Sequence, residues 1–185
     1  MATKTLKELL DALILAEGGY VDDPNDSGGK TMYGVTEAVA RQNGYTGAMS
    51  ALPRSVAESI YTKRYWTGPG FDKVAALAPS VAAEMFDCGV NMGPGTAVKF
   101  LQRVLNSYNR QGKLYKDTGV DGQLGPGALT ALAACLKSRG YVAEGTILKG
   151  IVCLRGARYL ELAEAKESQE EFVFGWIANR VSLNH

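Results

Sequence analysis

The sequence predicts a mainly helical protein with one small β-hairpin near its N-terminus. Apolar residues recur at helical spacing in most segments, whereas residues 18–36 alone combine turn-forming residues with short apolar and aromatic runs. A length of 185 residues suits one domain, or one domain with two lobes. We therefore expect a single unit with residues 1–79 as one lobe and residues 80–185 as a second, helical lobe.

The first helix is predicted from about Lys4 to Glu17, and Gly18-Gly19 supply its stop signal. Its apolar residues have the i, i+3, i+4, i+7, i+8 spacing of one helix face. They are Leu6, Leu9, Leu10, Leu13 and Ile14. From Gly18 to Thr36 the composition predicts a long loop or a small, irregular β-hairpin, placed directly after this helix.

Helical signals follow in the later segments. Thr36 is a predicted N-cap for a short helix to Asn43, and Ser80 is a predicted N-cap farther along. Ser168 and Glu171 have the S-x-x-E spacing of a capping box, which predicts the start of a last helix. Other helices are predicted around residues 53–65, 97–108, 129–136 and 147–162.

Composition excludes several function classes. The formal net charge is +1, from 20 basic and 19 acidic residues, so no basic field favours nucleic-acid binding. The single histidine, His185, leaves neither a Ser/His/Asp triad nor a His-based metal site with the parts it needs, and no cofactor or metal is predicted.

The cysteines and the apolar runs indicate a protein of the cytoplasm. Cys88, Cys135 and Cys153 form no C-x-x-C pair and are an odd number, so we expect reduced core thiols. The N-terminal segment lacks the apolar stretch of a signal peptide, and no run approaches the roughly 18 apolar residues of a membrane span. We expect no stable membrane insertion.

Glu17 is the leading candidate for a catalytic group. It follows Leu13 by four residues and Ile14 by three, so helical spacing places its carboxyl at the edge of the apolar stripe. It also ends the helix, where the macrodipole is negative. Partial burial and this dipole both favour the protonated carboxyl that a general acid needs. The alternative is an ordinary surface residue at a frayed helix end.

Glycosidic cleavage ordinarily uses two carboxyl groups. Asp22, Asp23 and Asp26 are candidates for the second, and Asp26 is preferred because Ser27-Gly28-Gly29 allow the chain to fold back towards the helix end. Thr31 is a candidate for positioning the attacking water through its hydroxyl. The alternative is a simple turn.

A family resemblance supports the catalytic interpretation. The motif Glu17-Gly18-Gly19-Tyr20, followed by Pro24-x-Asp26-x-Gly28-Gly29-x-Thr31-x-Tyr33-Gly34-Val35-Thr36, resembles the opening of glycoside hydrolase family 108. Members of that family are N-acetylmuramidases, typically phage or prophage endolysins. The spacing of Glu17, Asp26 and Thr31 is also similar to the catalytic set of phage-type lysozymes, although its last gap is one residue shorter.

The second half of the chain resembles the predicted peptidoglycan-binding region of that family. The matching segments are Phe86-Asp87-x-x-Val90-Asn91-x-Gly93-Pro94, Ala97-Val98-Lys99-Phe100-Leu101-Gln102 and Val120-Asp121-Gly122-x-Leu124-Gly125-Pro126. The resemblance implies that Asp87 and Asn91 line the sugar cleft, and the alternative is that they close the turn at 93–95. Tyr20 and Tyr33 offer apolar ring faces for sugars.

The resemblance implies a lysozyme-like fold and a muramidase that cleaves the β-1,4 bond between N-acetylmuramic acid and N-acetylglucosamine. Its partner would be the peptidoglycan glycan strand, reached from the cytoplasm after a holin permeabilises the membrane, and we expect a monomer. Whether the reaction inverts or retains configuration is left open. A lytic transglycosylase using Glu17 alone and a non-catalytic peptidoglycan-binding or secretion-associated protein are the alternatives.

Overall fold

The computed structural model describes residues 3–22 and 29–181, which form helices and one small antiparallel sheet. This confirms the predicted fold class. The chain divides into two compact units, an N-terminal unit, Lys4–Gly68, and a C-terminal unit that begins at Pro69 and also includes Thr3. The lobe limits expected from the sequence, 1–79 and 80–185, stay a prediction.

The N-terminal unit contains three α-helices and a two-stranded sheet. The described elements are α1 (Leu6–Glu17), β1 (Thr31–Met32), β2 (Val35–Thr36), α2 (Glu37–Gln42), a 3-10 turn (Met49–Ala51), α3 (Arg54–Thr62) and a π-helical turn (Lys63–Thr67). The helix α1 packs on α3, and β1 packs on the 3-10 turn. The core of this unit includes Leu10, Ile14, Val35, Leu52 and Ile60.

A capping box that the sequence interpretation missed begins α1. The Thr5 hydroxyl accepts from the Glu8 amide, and the Glu8 carboxylate accepts from the Thr5 amide at 2.7 Å. The bond from the Thr5 amide, together with one that the Thr5 hydroxyl donates to the same carboxylate at 2.8 Å, lowers the pKa of Glu8. Leu9, Leu10 and Ile14 are the buried residues of the predicted stripe, and the helix ends at Glu17, as predicted.

The hairpin is a tight one. Thr31 pairs with Thr36 and Met32 with Val35, so only Tyr33 and Gly34 form the turn. Both have positive φ, 53° and 72°, which is the combination of a type I′ hairpin turn. Thr36 then caps α2 by accepting from the Val39 amide at 3.3 Å, which confirms the predicted cap.

The C-terminal unit is helical throughout its described regular elements. Its α-helices are α4 (Phe71–Ala75), α5 (Pro79–Met92), α6 (Pro94–Tyr108), α7 (Pro126–Arg139), α8 (Ala143–Ala165) and α9 (Glu170–Arg180). The helix α5 packs on α4, α6 and α8. Fully buried side chains at their junctions include Phe71, Met85, Leu101, Leu132 and Ile147.

Two of the predicted caps are wrong. Ser80 lies inside α5 rather than before it, and its backbone amide donates to the Glu144 carboxylate of α8 at 2.7 Å. A partner so distant in sequence gives no local signal. Ser168 lies in a 3-10 turn, Glu167–Gln169, and α9 begins after Gln169 without a side-chain cap.

The cysteines are free, but they differ in burial. Cys88 and Cys135 are buried, as expected of core thiols, whereas Cys153 is exposed on α8, so the prediction is wrong for that residue. Among the helices of residues 3–22 and 29–181, none is both long and apolar enough to cross a membrane.

Candidate functional site

Glu17 is the last residue of α1, and its side chain is exposed. The expected partial burial is therefore wrong. The buried stripe of α1 ends at Ile14, three residues before Glu17.

The hairpin turn meets the carboxylate of Glu17. A Cβ atom built on Gly34 would lie 2.5 Å from Glu17 Oε2 and 2.6 Å from the Tyr61 hydroxyl oxygen. Real Cβ atoms essentially never show such distances, so only glycine allows these groups to approach the turn this closely. The φ of Gly34, 72°, is a second requirement for glycine.

Tyr61 lies on α3, is 7% exposed and contacts the same hairpin turn. Its hydroxyl donates to the Tyr33 carbonyl oxygen at 2.7 Å. Burial and the negative charge of Glu17 both raise the pKa of Tyr61, so the hydroxyl keeps its proton and stays a donor. Neither Gly34 nor Tyr61 was predicted as a site residue.

The other predicted residues of this unit lie on and beside the hairpin. Thr31 is half-buried, and its backbone exchanges hydrogen bonds with Val21 at 2.9 and 3.0 Å. The Tyr33 ring is half-buried, and Tyr20 is 41% exposed with its hydroxyl donating to the Asp22 carboxylate at 3.1 Å. Of the candidates for the second carboxylate, Asp23 and the preferred Asp26 lie outside the described residues.

Asp87 and Asn91 occur together on α5, within the C-terminal unit. The Asp87 carboxylate forms ion pairs with Arg155 of α8 and, at 2.9 Å, with Arg180 of α9. The Asn91 side chain donates to the Asp87 carbonyl oxygen at 2.6 Å. Both residues thus have intramolecular partners, and their contact with sugar stays a prediction.

A metal site has no support in the part of the chain that the structure describes. There, no three or more His, Cys, Asp or Glu side chains are grouped so that they could hold an ion. The chemistry available at the hairpin is that of a carboxyl group beside a protonated phenol, which suits proton transfer to an oxygen.

The protein is mainly helical, and its small β1–β2 hairpin contacts the carboxylate of Glu17 at the end of α1. This arrangement is that of a lysozyme-like protein. Residues 10–93 match the family described as Glycosyl hydrolase 108, and residues 96–181 match the Predicted Peptidoglycan domain. The chain thus carries a glycosyl hydrolase 108 domain followed by a predicted peptidoglycan domain, and it is a glycoside hydrolase that acts on peptidoglycan.

One solved structure, described as the structure of Brucella abortus SagA, is similar along most of the chain. The two share 27% identity with a TM-score of 0.64, over 97% of this chain and 91% of that one. No curated protein sequence matches the chain.

Proposed function

We propose that this protein is a muramidase that hydrolyses the β-1,4 bond between N-acetylmuramic acid and N-acetylglucosamine, with Glu17 as the general acid. The observation that supports it is the position of the Glu17 carboxylate, against Gly34 and Tyr61 within the family-108 region. Protonated Glu17 donates to the bridging oxygen as the C–O bond breaks, and water supplies the hydroxyl of the new reducing end.

Asp26 is the proposed second carboxylate, which activates that water or bonds to the sugar at the opposite face. Thr31 is proposed to position the water, because its backbone is fixed in the hairpin that also holds Gly34. Tyr20 and Tyr33 are proposed as sugar-contacting rings, and Asp87 and Asn91 as further substrate contacts. The anomer of the first product, followed by NMR, will distinguish retention from inversion.

An endolysin role completes the proposal. The enzyme would be made in the cytoplasm and would reach the wall after a holin permeabilises the membrane. Co-expression with and without a holin checks this role: lysis of the host should require both proteins, and lysis by this protein alone would contradict it.

The decisive experiment compares Glu17→Gln with Glu58→Gln on purified peptidoglycan. Glu58 is a half-exposed glutamate of α3 in the same unit, paired with Arg54, and serves as the matched control. Loss of a general acid should lower the rate of reducing-end release at least about 100-fold. The rate for Glu58→Gln should stay within about twofold of the wild-type rate, because this residue has no proposed part in proton transfer.

Mass spectrometry of the released fragments tests the bond and the reaction. Muramic acid at the reducing end is expected. Fragments ending in 1,6-anhydro sugars would identify a lytic transglycosylase, and N-acetylglucosamine at the reducing end would identify a glucosaminidase. Binding to insoluble peptidoglycan without release of any fragment would identify a non-catalytic protein.

A further inference from the structure

We propose that Arg64 binds a carboxylate carried by the N-acetylmuramic acid residue of the substrate, so that the Glu17 site selects peptidoglycan over neutral glycans. Arg64 lies in the π-helical turn Lys63–Thr67, three residues after Tyr61, and its side chain is exposed. The inference rests on the proposed function in taking Glu17 as the acid and peptidoglycan as the substrate. It names a group that the same site recognises beside the bond that breaks.

Tyr61 connects Arg64 with the candidate acid. The Tyr61 hydroxyl lies next to Gly34, as does the Glu17 carboxylate. Helical spacing of i, i+3 brings the Arg64 side chain to the Tyr61 side of the helix. Burial and Glu17 raise the pKa of Tyr61, whereas the Arg64 guanidinium acts to lower it. Because the effect of a charge falls with distance and is screened by water, the acid and the guanidinium both lie near this phenol.

The guanidinium of Arg64 is oriented by an aromatic ring. Its Cζ atom lies 5.3 Å from the centroid of the Tyr65 ring, and that ring stacks on Tyr61 with centroids 6.1 Å apart. A cation–π contact of this kind leaves the N–H groups of the guanidinium free to donate. Among the residues that the structure describes, no carboxylate pairs with Arg64, whereas Arg41 and Arg54 of the same unit are both ion-paired.

The backbone around Arg64 gives a second, independent observation. The Gly68 amide donates to the Lys63 carbonyl oxygen at 2.9 Å, which closes a π-helical turn directly after α3. A Cβ atom at Gly68 would lie 2.4 Å from that oxygen, so this turn requires glycine. Turns of this type are rare and occur frequently at functional sites. The unusual backbone therefore coincides with the unpaired cation and with the neighbourhood of Glu17.

The chemistry of the glycan strand identifies the ligand. N-acetylglucosamine is neutral, and N-acetylmuramic acid has one ionisable group, the carboxyl of its lactyl ether. In peptidoglycan that carboxyl is amide-linked to a stem peptide, which has carboxylates of its own. A planar guanidinium binds a carboxylate through two parallel N–H bonds. Arg64 therefore matches a stem-peptide carboxylate, or the free lactyl carboxylate of a strand without peptide.

The test measures kcat and KM on soluble peptidoglycan strands, on the same strands with their carboxylates converted to amides, and on strands freed of peptide by an amidase. We expect Arg64→Gln to raise KM on the native strands about tenfold, the effect of losing a bond to a charged group. Because such a bond stabilises the bound substrate and the transition state equally, kcat should not change. On the amidated strands, Arg64→Gln and wild type should have the same KM.

Lys63→Gln is the matched control. It removes the same charge from an exposed side chain of the same turn, and its KM on the native strands should equal that of wild type. The peptide-free strands identify the source of the carboxylate. A rise in KM for Arg64→Gln that persists on them assigns the lactyl carboxylate, and a rise that disappears assigns the stem peptide. Thermal unfolding confirms that both variants are folded.

The proposal is overturned if Arg64→Gln and Lys63→Gln change KM equally. It is also overturned if amidation of the strands leaves the wild-type KM unchanged, a measurement that needs no variant. A fall in kcat with a displaced pH–rate profile for Arg64→Gln would contradict it as well, because Arg64 would then act on the acid and not on the ligand.

Failure of the proposed function is a different result. If wild type releases no reducing ends, the muramidase is refuted, and an NMR titration of the full chain carrying Glu17→Gln still decides the role of Arg64. The probe is a disaccharide muropeptide of N-acetylglucosamine and N-acetylmuramic acid. The Nε–Hε signal of Arg64, assigned by its loss in Arg64→Gln, should shift with the native muropeptide and not with its amidated form. A signal that shifts with neither would overturn the proposal.

Discussion

The hydroxyl of Tyr61 donates to the carbonyl oxygen of Tyr33 at 2.7 Å, and this bond connects α3 to the tip of the hairpin. Tyr33 has a φ of 53°, which is uncommon for a residue with a side chain. The surrounding structure must hold such a conformation, and α3 does so through Tyr61. The Tyr61 hydroxyl and the Glu17 carboxylate both lie next to Gly34. Tyr61 therefore contacts both the turn and the surroundings of the candidate acid.

Removing this hydroxyl should weaken both stability and catalysis. Tyr61→Phe leaves a part-buried carbonyl without its donor, and we expect a loss of about 1 kcal/mol in the free energy of unfolding together with a fall in kcat/KM on peptidoglycan. Tyr65→Phe is the control, because the Tyr65 ring stacks on Tyr61 at 6.1 Å and its hydroxyl bonds no described residue. Equal effects from the two substitutions would contradict a specific role for Tyr61.

Alkaline pH should act through Tyr61. Its folded-state pKa is raised by burial and by Glu17, whereas the unfolded value is about 10. The contribution of the protonated hydroxyl is present below pH ~10 and is lost as the pH rises beyond it. Urea unfolding at increasing pH should therefore show a steeper alkaline loss of stability for wild type than for Tyr61→Phe, and parallel curves would contradict this.

Gly34→Ala should lower kcat by more than the conformational strain of an alanine at positive φ can explain. The new Cβ would meet Glu17 and Tyr61 within 2.6 Å, so the carboxylate must move. A displacement of about 1 Å can cost about 100-fold in rate. Gly44→Ala is matched for strain, with a φ of 87° and no described atom within 4 Å of the added Cβ. We expect Gly44→Ala to lose stability but to keep kcat, and equal kcat losses would contradict the prediction.

The buried guanidinium of Arg155 should be essential to the C-terminal unit. It is 1% exposed and pairs with Glu84, which is 12% exposed, and with Asp87. Arg155→Ala would leave Glu84 buried without a counter-charge, at a cost of about 3 kcal/mol. Arg158→Ala, in the same helix, removes only an exposed pair with Glu161 and should cost at most about 1 kcal/mol. Chemical denaturation measures both values, and similar losses would refute the assignment.

The thiols should differ in reactivity. Burial raises the pKa of Cys88 to about 12, Cys135 is also buried, and Cys153 is exposed. Because the thiolate is the reactive form, a disulfide reagent should label one thiol per folded chain and three after unfolding. Cys153→Ser should abolish labelling of the folded protein, and rapid labelling that persists in this variant would contradict the burial of the other two.

Local patterns predicted much of the fold. The stripe of Leu9, Leu10 and Ile14 predicted α1 and its end at Glu17, and Thr36 predicted the start of α2. Helical periodicity, N-caps and turn glycines depend on residues that are close together in the sequence. Each of these features can therefore be predicted from one short segment. The capping box of Thr5 and Glu8 had the same local signal and was missed.

The candidate site was predictable only in part. The sequence determined that a carboxyl ends α1 and that a glycine-containing hairpin follows, because both depend on neighbouring residues. Tertiary structure decided the exposure of Glu17, its approach to Gly34, and the support from Tyr61. It likewise decided the pairing of Arg155 with Asp87 and the attachment of Ser80 to Glu144. These last three contacts join residues 28, 68 and 64 positions apart, so no local pattern specifies them; packing of the helices brings the groups together.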